Sequence, residues 1–380
     1  MAEVYYAHAA NYHDAELDAA LDAALLPCIG KIGGVQGKRV MIKPNFLEWK
    51  GHDKPVCVAP ELLLVLCRKL KSLGAQTVAV IENPAVKSAP VIVENMGIAN
   101  ELAALGVTVK NCADYRLCQM AVTSAFHQME LAQEFRSFDL VIDFAKAKTH
   151  AMMTLTLAVK NLFGLVRGSE RLGWHLAVGR DYERFADMLL DIYSLVKPQI
   201  SIIDAVVAME GNGPGSGTPV ELNFIACSND ALSLDASVAS KLGVSELLVV
   251  KQAQKRALDV SYTDYGDIPE VTPVKLPDPP QMSLEWGVYF PPKLREFLRR
   301  RMVAKPELDT RLCIGCGVCI EMCPPKSLKL VDHKPVFKLN ECIRCFCCQE
   351  HCPKGAITSR KTALMKFFDN IEKIIRKTVH

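Results

Sequence analysis

Short apolar runs rich in β-branched residues alternate with amphipathic stretches over residues 1–275. "RVMIK" (39–43), "TVAVIE" (77–82), "LVIDF" (140–144) and "ISIIDAVV" (200–207) read as strands buried on both faces, as in parallel sheets. Between them, "PELLLVLCRKLKSLG", "RFADMLLDIYSLVKP" and "ALSLDASVASKLG" carry apolar residues at helical spacing. The first of these opens on proline and closes on glycine, as helices do. The alternation predicts an α/β fold, a large domain at 1–275 with a mostly parallel sheet flanked by helices.

After residue 275 the pattern changes. Residues 276–308 contain "LPDPP", "FPPK" and the basic helix "KLREFLRRRMVAK", and read as a linker. Residues 309–360 are cysteine-rich and predict a small α+β domain. In the C-terminal segment 361–380, Leu364, Phe367, Phe368, Ile371, Ile374 and Ile375 fall on one helical face opposite basic residues. Such a helix suits packing on its own protein, docking on a partner, or peripheral contact with a membrane surface.

Composition changes this picture little. No apolar run reaches the roughly 18–20 residues of a membrane span, and the N-terminus lacks the basic and apolar regions of a signal peptide. We therefore expect a cytoplasmic chain with no transmembrane segment. Charge is more informative, because the net +3 is unevenly spread. From residue 291 onward there are nineteen Lys and Arg against nine Asp and Glu, which leaves the first 290 residues at minus seven. A basic surround suits anionic thiolate clusters and acidic redox partners; no nucleic acid is expected.

Nine of the fifteen cysteines lie between Cys313 and Cys352, and the other six are scattered singly among apolar neighbours, where they read as small core residues. Cys313, Cys316, Cys319 and Cys323 have the spacing C-x2-C-x2-C-x3-C-P, and Cys342, Cys345, Cys348 and Cys352 repeat it. This is the bacterial-type pattern for two [4Fe–4S] clusters, in which the fourth cysteine of each run ligates the other cluster. Cys313, Cys316, Cys319 and Cys352 are assigned to one cluster, and Cys323, Cys342, Cys345 and Cys348 to the other. Cys347 is spare, since only Cys348 keeps both spacings. A zinc ribbon would lack the triple cysteine run and the proline.

A ferredoxin module says little about what it serves, so the large domain must carry the specificity. Lys43 and Asn45, Glu82 and Asn83, Lys146, Lys148 and His150, and Asp204 all follow or end predicted strands. The carboxyl edge of an open α/β sheet is where ligands bind. Lys146, Lys148 and His150 are spaced by two and face one way if the strand continues through them. Lys160 and Asn161 lie in the helix that follows. Arg167, Arg171, His175 and Arg180 fall in "VRGSERLGWHLAVGR", read as a glycine-broken loop. "MEGNGPGSGTP" (209–219) adds Glu210 and a glycine-rich turn whose amides suit an anion. It is not a P-loop, and no G-x-G-x-x-G or flavin motif is present. The cations suit a small anionic substrate, with His150 as acid/base or metal ligand.

"KPN" (43–45), "KAKTH" (146–150), "TLAVKNLFG" (156–164) and "DAVVAMEGNGP" (204–214) together resemble the domain of unknown function 362 family. The resemblance covers nearly the whole chain. It implies an α/β domain with a bound anion or substrate at those motifs, joined to two [4Fe–4S] clusters, and it carries no general reaction. The expectation is an oxidoreductase of anaerobic or low-oxygen metabolism. Its clusters would exchange electrons with a carrier such as a ferredoxin or flavodoxin. Lys43, Asn45, Glu82, Lys146, Lys160, Asn161 and Glu210 would hold the substrate, and His150, Lys148 and Asp204 would act in catalysis. The alternative is a non-catalytic electron-transfer subunit that docks on a partner enzyme.

Overall fold

The computed structural model describes residues 1–277 and 305–360. Within those spans it leaves out 85–86, 121–123, 125, 151, 169, 172–173, 175–177, 179–180, 212, 216, 269, 322, 324–325, 343–347, 349–351, 353 and 355. The basic helix of the linker and the amphipathic segment 361–380 lie outside the described residues, as do His175, Arg180, Cys345 and Cys347.

In chain order the elements are β1 (Ala2–His8), α1 (Asp14–Lys31), β2 (Arg39–Pro44), α2 (Pro60–Ser72), β3 (Thr77–Glu82), α3 (Ala89–Asn95), α4 (Ala99–Ala104) and β4 (Val107–Asn111). There follow β5 (Tyr115–Gln119), β6 (Gln128–Ala132), β7 (Leu140–His150), β8 (Thr154–Thr156), α5 (Ala158–Asn161), α6 (Tyr182–Val196), β9 (Ile200–Glu210), β10 (Thr218–Ser228), α7 (Ala231–Lys241), α8 (Leu248–Lys255) and β11 (Tyr262–Gly266). The cysteine-rich part adds β12 (Lys305–Leu308), α9 (Val318–Glu321), β13 (Leu328–Val331), β14 (Lys334–Phe337) and β15 (Ile357–Arg360).

The chain divides into two compact units, the first comprising 1–116, 131–165 and 189–281, and the second 117–130, 166–188 and 282–380. In the first unit one sheet has the order β11-β1-β10-β9-β7-β2-β3-β4, with β8 paired to the end of β7. Strands β4, β3, β2, β7 and β9 are mutually parallel; β10 runs antiparallel between β9 and β1. The mostly parallel α/β domain expected from the apolar runs is present. Val40 and Ile42 of β2 and Ile142 and Phe144 of β7 face one core with α1 and α2, while α5 and α7 pack on the strands from elsewhere in the unit.

Helix α2 illustrates the local logic. Pro60 supplies the first turn, Leu62, Leu63, Leu66 and Leu70 are buried, and Gly74 at φ 85° follows its end. Strand β7 exceeds the apolar run that announced it, since all eleven residues from Leu140 to His150 are buried, lysines included. One expectation is corrected. Of the segment read as a glycine-broken loop, Gly168, Glu170, Arg171, Trp174 and Val178 are helical. Arg171 Nε donates to the Val166 carbonyl at 3.0 Å and Trp174 sits edge-on to Phe126. These contacts outweigh the weak helix preference of glycine.

The cysteine-rich part of the second unit has β12 paired with β15 and the hairpin β13–β14. Its small core contains Cys319, Cys323, Leu328, Cys348 and Ile357.

Candidate functional site

From β2 the chain proceeds outward through α2 to β3 and β4, then returns to place β7 on the other side of β2. Strands β2 and β7 therefore flank a topological switch point, where an open parallel sheet leaves a crevice at its carboxyl edge. Lys43 and Asn45 lie at the end of β2, and Lys146, Lys148 and His150 at the end of β7.

Lys43 is buried, and its Nζ donates to Glu82 Oε2 at 2.5 Å, Asn161 Oδ1 at 3.0 Å and the Pro44 carbonyl at 3.1 Å. Glu82 Oε1 accepts the Asn83 amide. Gly164 packs on this pair so closely that a Cβ there would lie 2.6 Å from Glu82 Oε1 and 2.7 Å from Lys43 Nζ. Asn161 Nδ2 donates to Asp143 Oδ1 at 2.7 Å. The Asp143 carboxyl is fully buried, and its Oδ2 has no partner. Burial pushes it up to about 8, against the pull of Lys43 and Asn161.

Asn45 links this group to Lys148. Its Nδ2 donates to Asn161 Oδ1 at 2.9 Å, and its Oδ1 accepts from Lys148 Nζ at 2.6 Å. Lys148 also reaches the Val56 carbonyl at 2.7 Å. One register step back, Lys146 pairs with Asp204 across β7 and β9. Its Nζ donates to Asp204 Oδ2 and to the Tyr12 hydroxyl, both at 2.8 Å. Tyr12 donates to Asp204 Oδ1 at 2.9 Å, and the Ala59 amide, just before α2, donates to Asp204 Oδ2 at 2.9 Å. Burial pushes the Lys146 ammonium down while Asp204 holds it up. Burial likewise raises the Tyr12 hydroxyl well above its ordinary value, with Asp204 adding to the rise.

Thus Lys43, Asn45, Glu82, Asn161 and Lys148 form one hydrogen-bonded network, and Lys146 with Asp204 forms a second. The other residues singled out from sequence have different surroundings. His150 Nδ1 accepts the Met152 and Met153 amides at 3.1 and 3.3 Å, holding the turn into β8. Lys160 is half-buried on α5. Glu210 accepts the Lys275 amide at 2.8 Å, and the Gly211 and Gly213 amides donate to the carbonyls of Lys275 and Gly211. The expectation that those two amides face an anion is corrected, because both already have backbone acceptors. Arg167, in the second unit, pairs with Glu130 at 2.6 Å.

Sequence reasoning missed Asp143, Tyr12 and Asp235. The fully buried pair of oxygens of Asp235, on α7, accepts the Ala158 and Val159 amides at 2.8 and 3.0 Å and so seats α5, which carries Asn161. A carboxylate inside the apolar run "LVIDF" is the one signal that marked any of the three.

In the second unit, Cys313, Cys316, Cys319 and Cys352 line one cavity, with Gly315, Gly317 and Ile314. Cys352 comes from the second cysteine run, the other three from the first. Cys323, Cys342 and Cys348 are buried. Among the described residues no three His, Cys, Asp or Glu side chains are arranged around a single metal ion; these thiols instead ring a volume. The Ala356 amide donates to Cys352 Sγ and the Ser327 amide to Cys323 Sγ, both at 3.3 Å. Backbone donors to sulfur steady thiolates and tune cluster potentials, so this donor set fits iron–sulfur ligation. Bound there, a [4Fe–4S] group passes single electrons.

Residues 305–353 match the family described as 4Fe-4S dicluster domain, which gives the chain an iron–sulfur electron-transfer role. A thylakoid-associated protein of Synechocystis sp. is 32% identical over 255 residues, which is 67% of this chain and 78% of that protein. Among solved structures, the lactate racemase apoprotein of Thermoanaerobacterium thermosaccharolyticum gives a TM-score of 0.40 at 12% identity. That match covers 62% of this chain and 56% of the other, so the chain spans little more than half of that structure's length. No helix among the described residues is long and apolar enough to cross a membrane. Residues 40–240, more than half of the chain, match the family described as Domain of unknown function (DUF362), and the protein belongs to that family.

Proposed function

We propose that the protein is an oxidoreductase that passes electrons through two [4Fe–4S] clusters to a small anionic molecule at the switch point of its α/β domain. The observation that carries this reading is the burial of Lys43, Lys146 and Lys148 together at the carboxyl edge of β2 and β7. At that edge Lys43 meets Glu82, Lys146 meets Asp204 and Lys148 meets Asn45. Basic side chains gathered at one sheet edge suit an anionic group. In this reading Lys148, at the end of β7 beside Asn45 and Val56, contacts the anion, and His150, two residues further on, is the residue for proton transfer.

Cys313, Cys316, Cys319 and Cys352 hold one cluster in this reading, and Cys323, Cys342, Cys345 and Cys348 the other. The lining of one cavity by Cys352 and the first three supports the exchange of fourth ligands. The proposed setting is cytoplasmic, and the thylakoid association of the Synechocystis relative supports peripheral contact with a membrane.

The test is anaerobic purification followed by mass spectrometry of small molecules released on denaturation. An anionic organic molecule should accompany the wild type and be lost from Lys148→Met, with iron content unchanged in both. Protein that carries no such molecule, or a Lys148→Met variant that keeps it, refutes the site. A second reading has an observation of its own: Lys43 and Lys146 already have carboxylate partners inside the fold. That compensation favours an electron-transfer subunit whose buried charges are structural. Such a subunit would keep full electron transfer to its partner enzyme in Lys148→Met.

A further inference from the structure

The cavity lined by Cys313, Cys316, Cys319 and Cys352 has an open side, because Cys316 is exposed. The surface beside it is unusual for so small a module. Ile314 exposes 62% of its surface, and Leu312 and Val331 51% each. The two segments that carry them lie against each other. A Cβ on Gly315 would lie 2.5 Å from the His333 carbonyl, so the cysteine loop rests on the β13–β14 turn that follows Val331. Lys334, paired in register with Val331, reaches back to the Cys313 carbonyl at 2.5 Å and the Thr310 carbonyl at 3.0 Å. Apolar side chains gathered at an exposed redox site mark an interaction surface.

The charges around it identify the occupant. Arg311, with 94% of its side chain exposed, stands beside Leu312 in the chain, its Nε 4.0 Å from Asp309 Oδ1. Lys354 is exposed at the cavity mouth, while Asp332 is the acid of the hairpin turn. An apolar centre with a basic margin complements a carrier with an apolar centre and acidic margin.

We propose that this face of the module, Arg311–Cys316 with the β13–β14 turn, is the docking surface for a small acidic ferredoxin that exchanges electrons with the cluster beneath it. The proposal rests on the two-cluster reading given above, and deepens it by naming where the carrier sits. One electron leaves the reduced carrier and enters the exposed cluster; no bond is made or broken and no proton moves.

The experiment uses the anaerobically purified full chain and an acidic plant-type [2Fe–2S] ferredoxin as probe. Binding of the oxidised ferredoxin is measured by calorimetry at low and high salt. Reduction of the clusters is followed with reduced ferredoxin and, separately, with methyl viologen, which needs no docking face. Arg311→Glu combined with Leu312→Ser should weaken binding and slow reduction by ferredoxin, each by about tenfold at low salt. Iron content, the cluster EPR signal and reduction by viologen should be unchanged. Val331→Ser, distant in sequence from the cysteine loop, should weaken binding about threefold through lost apolar contact alone. Wild-type affinity indifferent to salt, or equal binding by the wild type and both variants, overturns the proposal. Viologen reduction reports the clusters by themselves, so failure of the two-cluster reading is seen separately.

Discussion

Replacing Asp143 by Asn should stabilise the protein at neutral pH, although it alters a fully buried hydrogen-bonded group. The carboxyl sits at about 8 in the fold against 3.8 for the free side chain. A raised carboxyl favours the fold fully only below its unfolded value, and the advantage is lost as pH climbs toward 8. A gap of about four units corresponds to roughly 5–6 kcal/mol between the two ends of that window. Asparagine cannot ionise, and its carbonyl oxygen can still accept from Asn161 Nδ2. Its amide would place two protons where Oδ2 has no partner, at a cost of about 1 kcal/mol. The variant should therefore be about 1 kcal/mol less stable than the wild type near pH 4 and about 4 kcal/mol more stable at pH 8. Between pH 5 and 7 the two stabilities should diverge by about 1.4 kcal/mol per pH unit. Anaerobic urea titrations followed by far-ultraviolet circular dichroism at several pH values measure this directly. Parallel pH profiles for wild type and variant would mean that Asp143 is ionised in the fold, and the argument for its neutrality would fail.

Three further outcomes follow from the same contacts. Gly164→Ala places a methyl group within 2.7 Å of both Glu82 Oε1 and Lys43 Nζ, and should cost about 1–3 kcal/mol in urea titration as the pair is pushed apart. Lys146→Met leaves the Asp204 carboxylate buried without its cation and should cost about 3–5 kcal/mol; the double variant Lys146→Met with Asp204→Asn should recover more than half of it in a double-mutant cycle. Cys352→Ala removes a thiol from the cavity it shares with Cys313, Cys316 and Cys319; under the two-cluster proposal, iron analysis should fall from about eight toward about four atoms per chain.

The sheet and the edge that carries the candidate site were legible for a physical reason. Parallel strands buried on both faces are written as apolar runs, so polar residues just after such runs fall on one edge of one sheet. Lys43, Glu82, Lys146 and Asp204 were placed on that edge in this way. Their mutual arrangement was not legible, because it is made by contacts between distant segments. Tyr12 meets Asp204 across 192 positions, and Lys43 meets Asn161 across 118. Sequence also cannot show whether a cation is already compensated. Lys43 and Lys146, which looked like open anion contacts, each have a carboxylate within the fold. Asp143 was hidden by its setting, since one acid in an apolar strand gives no hint of which face it takes. The helical residues of 168–178 were misread because their glycines were weighted more than the contacts of Arg171 and Trp174.

The two asparagines at the sheet edge have a further consequence. From Lys148 to Asn45, from Asn45 to Asn161, and from Asn161 to Asp143, each group donates to the next. A lysine can only donate, so the amide of Asn45 has one allowed orientation, and that orientation fixes Asn161 in turn. The row has a polarity that no single member can reverse without breaking its neighbours' bonds. Gain or loss of a proton at Asp143 is then felt at Lys148 through three aligned hydrogen bonds and the two amides between them. The charge state of Asp143 thereby adjusts how firmly the lysine at the other end of the row is held.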